Sequence, residues 1–113
     1  MKSKILALSK NEEFKILLKQ KKISNKYVTI FFGNLKDKKM TKLNVSFVAK
    51  KKLGSAVRRN KIKRRLRNIV DHAIKELIIK FDYSYLVIAK PTMLNNEYTI
   101  IKETLFRDLE SIH

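Results

Sequence analysis

The sequence predicts a single α+β domain, and three observations predict it. The 113 residues are 44% apolar with two glycines and one proline, which suits one ordered domain spanning 1–113 and no flexible or low-complexity tract. Segments with helical spacing of apolar residues alternate with short β-branched and aromatic runs. Finally, the most cationic stretch, "KKLGSAVRRNKIKRRLR" at 51–67, carries nine Lys or Arg and no acid, yet is threaded with Leu53, Val57, Ile62 and Leu66. A solvated tail would not need those apolar residues, so this stretch belongs to the fold.

In "LSKNEEFKILLKQKK", Ser9 or Asn11 can cap a helix, and Glu12 and Glu13 suit the positive end of its dipole. Phe14, Leu17 and Leu18 follow at i, i+3 and i+4, giving a short helix over roughly 11–21. "NKYVTIFFGN" reads as a strand closed by a turn at Gly33 and Asn34. Alternation places Tyr27, Thr29 and Phe31 on one face and Val28, Ile30 and Phe32 on the other, so both faces need cover. A second strand, "KLNVSFVAK", turns Leu43, Val45, Phe47 and Ala49 to one side.

After Gly54, "SAVRRNKIKRRLRNIVDHAIKELIIKF" runs on in good helix formers. Ile62, Leu66, Ile69, Val70, Ala73 and Leu77 fall on one side of that helix, and Asn60, Arg64, Arg67 and Asp71 on the opposite side. The like charge is tolerable because the apolar side anchors the segment. "DYSYLVIAKP" is a third strand, whose unbroken apolar run from Tyr85 to Ala89 suits an interior place in the sheet. Asn95 or Asn96 then caps a last helix, with Ile100, Ile101, Leu105, Leu109 and Ile112 as its stripe.

Subtracting 10 acids from 27 bases leaves +17, which calls for an anionic partner. Nucleic acid fits better than a membrane surface. The apolar residues are spread as a core needs them, not gathered into one amphipathic helix, and no stretch approaches a membrane span. The absence of cysteine excludes disulfides, thiolate catalysis and cysteine-ligated zinc, and the apolar stretch Ile5 to Leu8 is short for a signal-peptide core. A cytoplasmic location is expected.

The inventory for catalysis is thin. His72 lies between the two faces of the long helix, His113 is the terminal residue, and no pair of acids has the spacing of a metal site. We expect no catalytic and no metal-ligating residue, and a protein that binds. Seven cations between 58 and 67 with no interspersed acid exceed what a merely solvated helix face carries. Arginine's planar fork suits phosphate oxygens. An aromatic on a helix stripe or strand face, such as Phe14 or Phe31, is ordinarily core, but beside cations it can stack on the bases of a single strand.

The residues "VAKKKLGSAVRRNKIKRRLR" resemble the signature of the protein component of bacterial ribonuclease P, here Arg59, Asn60, Lys61, Lys63, Arg64 and Arg67. The likeness extends through "NEEFKILL", "DYSYLVIAKP" and the closing helix. Lys61 stands where the signature has a second Arg, keeping the charge without the fork, and Leu18 where many relatives have a second aromatic.

The resemblance implies an α-β-β-β-α-β-α two-layer sandwich around a central sheet, with a left-handed β-α-β crossover and one strand more than the residues alone reveal. It implies that Arg59, Asn60, Lys61, Lys63, Arg64 and Arg67, assisted by Lys50 and Lys51, face the catalytic RNA. Phe14, Leu18 and Phe31 would touch the 5′ leader of precursor tRNA. The RNA subunit would carry out the magnesium-dependent cleavage, Mg2+ belonging to the RNA active site and no cofactor to the protein, with one protein monomer per RNA. A ribosomal or general RNA-binding protein is the alternative that composition alone would favour.

Overall fold

The computed structural model describes residues 5–6, 11–33, 43–76, 78–79, 83–94 and 97–112. Its elements are β1 (Ile5–Leu6), α1 (Asn11–Leu18), β2 (Lys21–Ser24), β3 (Val28–Gly33), β4 (Leu43–Val48), α2 (Ala56–Lys75), β5 (Ser84–Ala89) and α3 (Tyr98–Glu110). Short 3-10 turns at Lys51–Leu53 and Pro91–Leu94 follow β4 and β5. The strands form one mixed sheet in the order β1-β4-β5-β3-β2, with β4 and β5 parallel and β5 antiparallel to β3.

β5 therefore sits inside the sheet, as its unbroken apolar run predicts. The four strands that the resemblance implies are β2 to β5, with β1 a two-residue addition at the edge. The residues alone reveal only three of these. β2, "KKIS", offers a single apolar side chain because it is an edge strand, and lysines on an edge discourage pairing with another chain. Its presence shortens the first helix, which ends at Leu18 and not at 21.

The two main layers are the sheet and the α2/α3 pair. Val28, Ile30 and Phe32 of β3, Val45 of β4, and Tyr85, Val87 and Ala89 of β5 pack against Ile62, Leu66, Ile69, Val70, Ala73 and Ile74 of α2 and Ile101, Leu105 and Leu109 of α3. Tyr83 adds edge-on ring contacts at 5.7 Å to Phe32 and 6.5 Å to Tyr85. On the opposite face lies a second, smaller cluster, in which Leu17 of α1 is buried against Leu86 beside Phe31, Val48 and Ile88.

Three expectations are corrected. α2 ends at Lys75, because Ile78 bonds back to the Ala73 carbonyl at 2.9 Å and the chain turns to bury Ile79; Leu77 lies outside the described residues. The N-cap position of α3 is Glu97, without a side-chain cap bond, whereas Asn95 and Asn96 lie outside the described residues. Ile100, placed on the buried stripe by spacing, is 47% exposed, and the stripe runs through Ile101, Leu105 and Leu109 to Ile112.

α2 starts cleanly. Ser55 Oγ accepts from the Arg58 amide at 3.3 Å, and the preceding Gly54 adopts φ 122° and ψ −158°, a region other residues rarely enter. A Cβ there would also stand 2.9 Å from the Arg58 side chain. Gly54→Ala is expected to lower stability by about 1–3 kcal/mol, read as a shift in the urea midpoint.

Candidate nucleic-acid interface

Two surfaces carry the residues that the sequence singles out. The first is the outward ridge of α2. Asn60, Lys61, Arg64 and Arg67 are exposed, and Arg59 and Lys63 are half-buried. From Ile62 onward the apolar side of the helix is docked in the core, which fixes the ridge relative to the strands, whereas Val57 in the first turn, expected to help anchor the segment, is 79% exposed. Not every cation of the run belongs to the ridge. Arg65 is half-buried and its guanidinium donates to the Met93 carbonyl at 3.4 Å, tying α2 to the turn after β5. The Nε of Arg59 is likewise enclosed, without a hydrogen-bond partner.

The parallel pairing explains how the ridge meets the sheet. β4 and β5 run the same way in register, Val48 opposite Ile88, so Lys50 and Lys90 leave the same end of the sheet. Lys50 and Lys51 are exposed there, and α2 begins five residues after Lys51. Strand ends and helix start thus pool their cations at one end.

The second surface is the sheet face under α1. Strand register lays its side chains out in rows. Ser46, Leu86, Phe31 and Lys22 form one row across four strands, and Val48, Ile88, Thr29 and Ser24 form the next. Phe31, Val48 and Ile88 are only partly buried, and Leu17 is the one described α1 side chain seated on them. Ile16 and Leu18 stand exposed on the same helix, Leu18 at 48%. The result is a shallow apolar groove floored by strands and walled by α1. Phe14 belongs to α1, but its side chain lies outside the described residues.

The structure places Phe31 in the cluster under α1, where Leu17 is the α1 residue packed beside it and Leu18 stands exposed, and the α2 ridge rises on the other face. Sequence reading missed Lys22, Thr29, Val48, Ile88 and Lys90. Alternation along β3 pointed to Thr29, but only strand register could have united residues from four strands.

Glu12 and Glu13 belong to the first turn of α1, and Asp71 continues the ridge's own stripe one turn beyond Arg67; the other described acids stand elsewhere. Glu76 is at the far end of α2, and Glu97, Glu103, Asp108 and Glu110 are on or beside α3. Among the described residues no group of three His, Asp or Glu is placed to hold a metal ion, and no helix is long and apolar enough to cross a membrane. Chemically, the arrangement offers phosphate contacts on a ridge and stacking plus cations in a groove.

Comparisons with known proteins point to one family. The family model described as Ribonuclease P matches residues 3–112. The ribonuclease P protein component of Carboxydothermus hydrogenoformans is 33% identical over 102 residues, covering 87% of this chain and 83% of the relative. That of Mesoplasma florum is 32% identical over 98 residues, covering 87% and 86%. The solved RNase P protein from Thermotoga maritima superposes with a TM-score of 0.80 at 23% identity, covering 96% of this chain and 98% of that one. The Staphylococcus aureus RNase P protein gives 0.75 at 25% identity, covering 91% and 90%.

Proposed function

Because this chain belongs to the ribonuclease P protein family, we propose that it is the protein subunit that docks on the catalytic RNA through the α2 ridge and grips the 5′ leader of precursor tRNA in the groove under α1. The observation that carries this reading is the division of labour on two faces of one sheet. Arg64 and Arg67, with Asn60 and Lys61, present charge without an apolar floor, which suits the phosphates of a folded RNA. Phe31, Val48 and Ile88 beside Lys22 present an apolar floor with a cation at its edge, which suits an unpaired strand of varied sequence.

Arg59 and Lys63 contribute from the flank of the ridge, and Lys50 and Lys51 from the sheet end. Leu18, exposed on α1, would meet the leader from the helix side, and Phe14 is assigned to the leader by the resemblance alone. Ridge and groove are lined by cations and apolar groups, not by the oxygen ligands magnesium requires, so no described residue there fits a Mg2+ site. In this reading the metal belongs to the RNA, and one protein monomer serves one RNA.

The test is reconstitution with a ribonuclease P RNA and precursor tRNA at low magnesium. Leader release requires the RNA and rises with added protein. In the same assembly Phe31→Ala weakens precursor binding by about tenfold, the scale of one lost base stack, and leaves mature tRNA binding unchanged. Cleavage by the protein alone, or protein that binds all RNAs equally without affecting cleavage, would overturn the reading, the latter in favour of a general RNA-binding protein.

A further inference from the structure

Lys90 leaves β5 at the end of the groove, and its ammonium is held. It donates to Ser24 Oγ at 2.7 Å and to the Asn25 carbonyl at 2.6 Å. An ammonium has three N–H donors, so one remains, and no described residue takes it. Ser24 shares its row with Thr29, Ile88 and Val48, which places this hydroxyl on the groove face.

The turn that supplies these acceptors is itself fixed from every side. Asn25 Oδ1 accepts from the amides of Tyr27 at 2.7 Å and Val28 at 2.9 Å, closing the β2–β3 turn, and Asn25 Nδ2 donates to Asp108 Oδ2 of α3 at 2.7 Å. The Tyr27 carbonyl accepts from the Lys90 amide at 2.8 Å, and the Lys26 carbonyl accepts from the Thr92 hydroxyl. Three successive carbonyls, 25 to 27, are thus taken by Lys90 and Thr92. A free surface lysine would have to be ordered by its ligand, whereas this one is ordered beforehand. For a hairpin strap alone the backbone bonds suffice. The bond to Ser24 adds a direction, because it draws the charge over the groove face.

We propose that Ser24 is a positioning residue, which together with the Asn25 carbonyl aims the Lys90 ammonium at a phosphate of the single strand lying in the groove. This rests on the leader reading above and assigns to that groove a fixed cationic post, set by a side chain 66 residues away in sequence.

The test uses the reconstituted holoenzyme and compares affinities for precursor and mature tRNA. Lys90→Ala is expected to weaken precursor binding by about tenfold and Ser24→Ala by about threefold, with mature tRNA unaffected in both, these being the scale of losing or unfixing one ordered side chain. The double variant matches Lys90→Ala alone, since Ser24 acts through the lysine. Ser24→Thr, which keeps the hydroxyl, restores wild-type discrimination. Losses that add in the double variant, or a Ser24→Ala protein that discriminates as wild type does, would overturn the positioning role while leaving the leader reading in place. If the wild-type holoenzyme binds precursor and mature tRNA equally, the leader reading fails and takes this proposal with it.

Discussion

Replacing Arg64 and Arg67 together by Ala lowers affinity for ribonuclease P RNA by on the order of a hundredfold at low salt and reduces the slope of log affinity against log salt by about two. Both side chains are exposed on the α2 ridge, and neither belongs to the core beneath it. The fold therefore persists, since contacts of exposed cations are worth only about 0–1 kcal/mol. Filter binding across a salt series measures the slope directly. An unchanged slope would place the phosphate contacts on another surface.

Leu66→Ala lowers stability by about 3–4 kcal/mol, because it opens a cavity in the main core, and a small domain has only about 5–15 kcal/mol in total. Leu66 is fully buried, on the side of α2 opposite the ridge. RNA binding falls with it, for a different reason. Excess RNA restores the Leu66→Ala protein by mass action, since the ligand favours the folded state, and does not restore the arginine pair in the same way. Urea unfolding with and without RNA separates the two. A loss below about 1 kcal/mol would mean that α2 is not docked through this face.

The two sides of α2 were legible because helical spacing is a local property. Ile62, Leu66, Ile69, Val70 and Ala73 are buried as their spacing requires, and Asn60, Arg64 and Arg67 are exposed. The interior place of β5 was legible from composition, since only a strand covered on both faces is apolar throughout. The end of α2 was not, because Glu76 and Leu77 continue a favourable helix pattern and the stop comes from burying Ile79. Nor was the inward turn of Arg65, which in sequence is one more cation in a run and in the fold is tied to the Met93 carbonyl.

The groove was the least legible part. Phe31 was a stacking candidate from its setting and Leu18 came from resemblance, while Lys22 needed the β2–β3 hairpin and Ile88 and Val48 needed strand pairing across sequence gaps of dozens of residues. Lys90 and Ser24 illustrate the difficulty: each reads as an ordinary surface residue until the β2–β3 turn is placed beside the end of β5.

The order of the strands bears on how the chain is made. Of the described strands β5 is the last to be synthesised, yet it lies between β4 and β3. While the nascent chain is shorter than about residue 89, β2 and β3 can close as a hairpin, but among the described strands β4 has only the two-residue β1 beside it. The two halves join when Ser84–Ala89 slides between them. Until then the inner edges of β3 and β4 are open to wrong partners, so the interval before Ser84–Ala89 leaves the ribosome is when these strands are most exposed to aggregation.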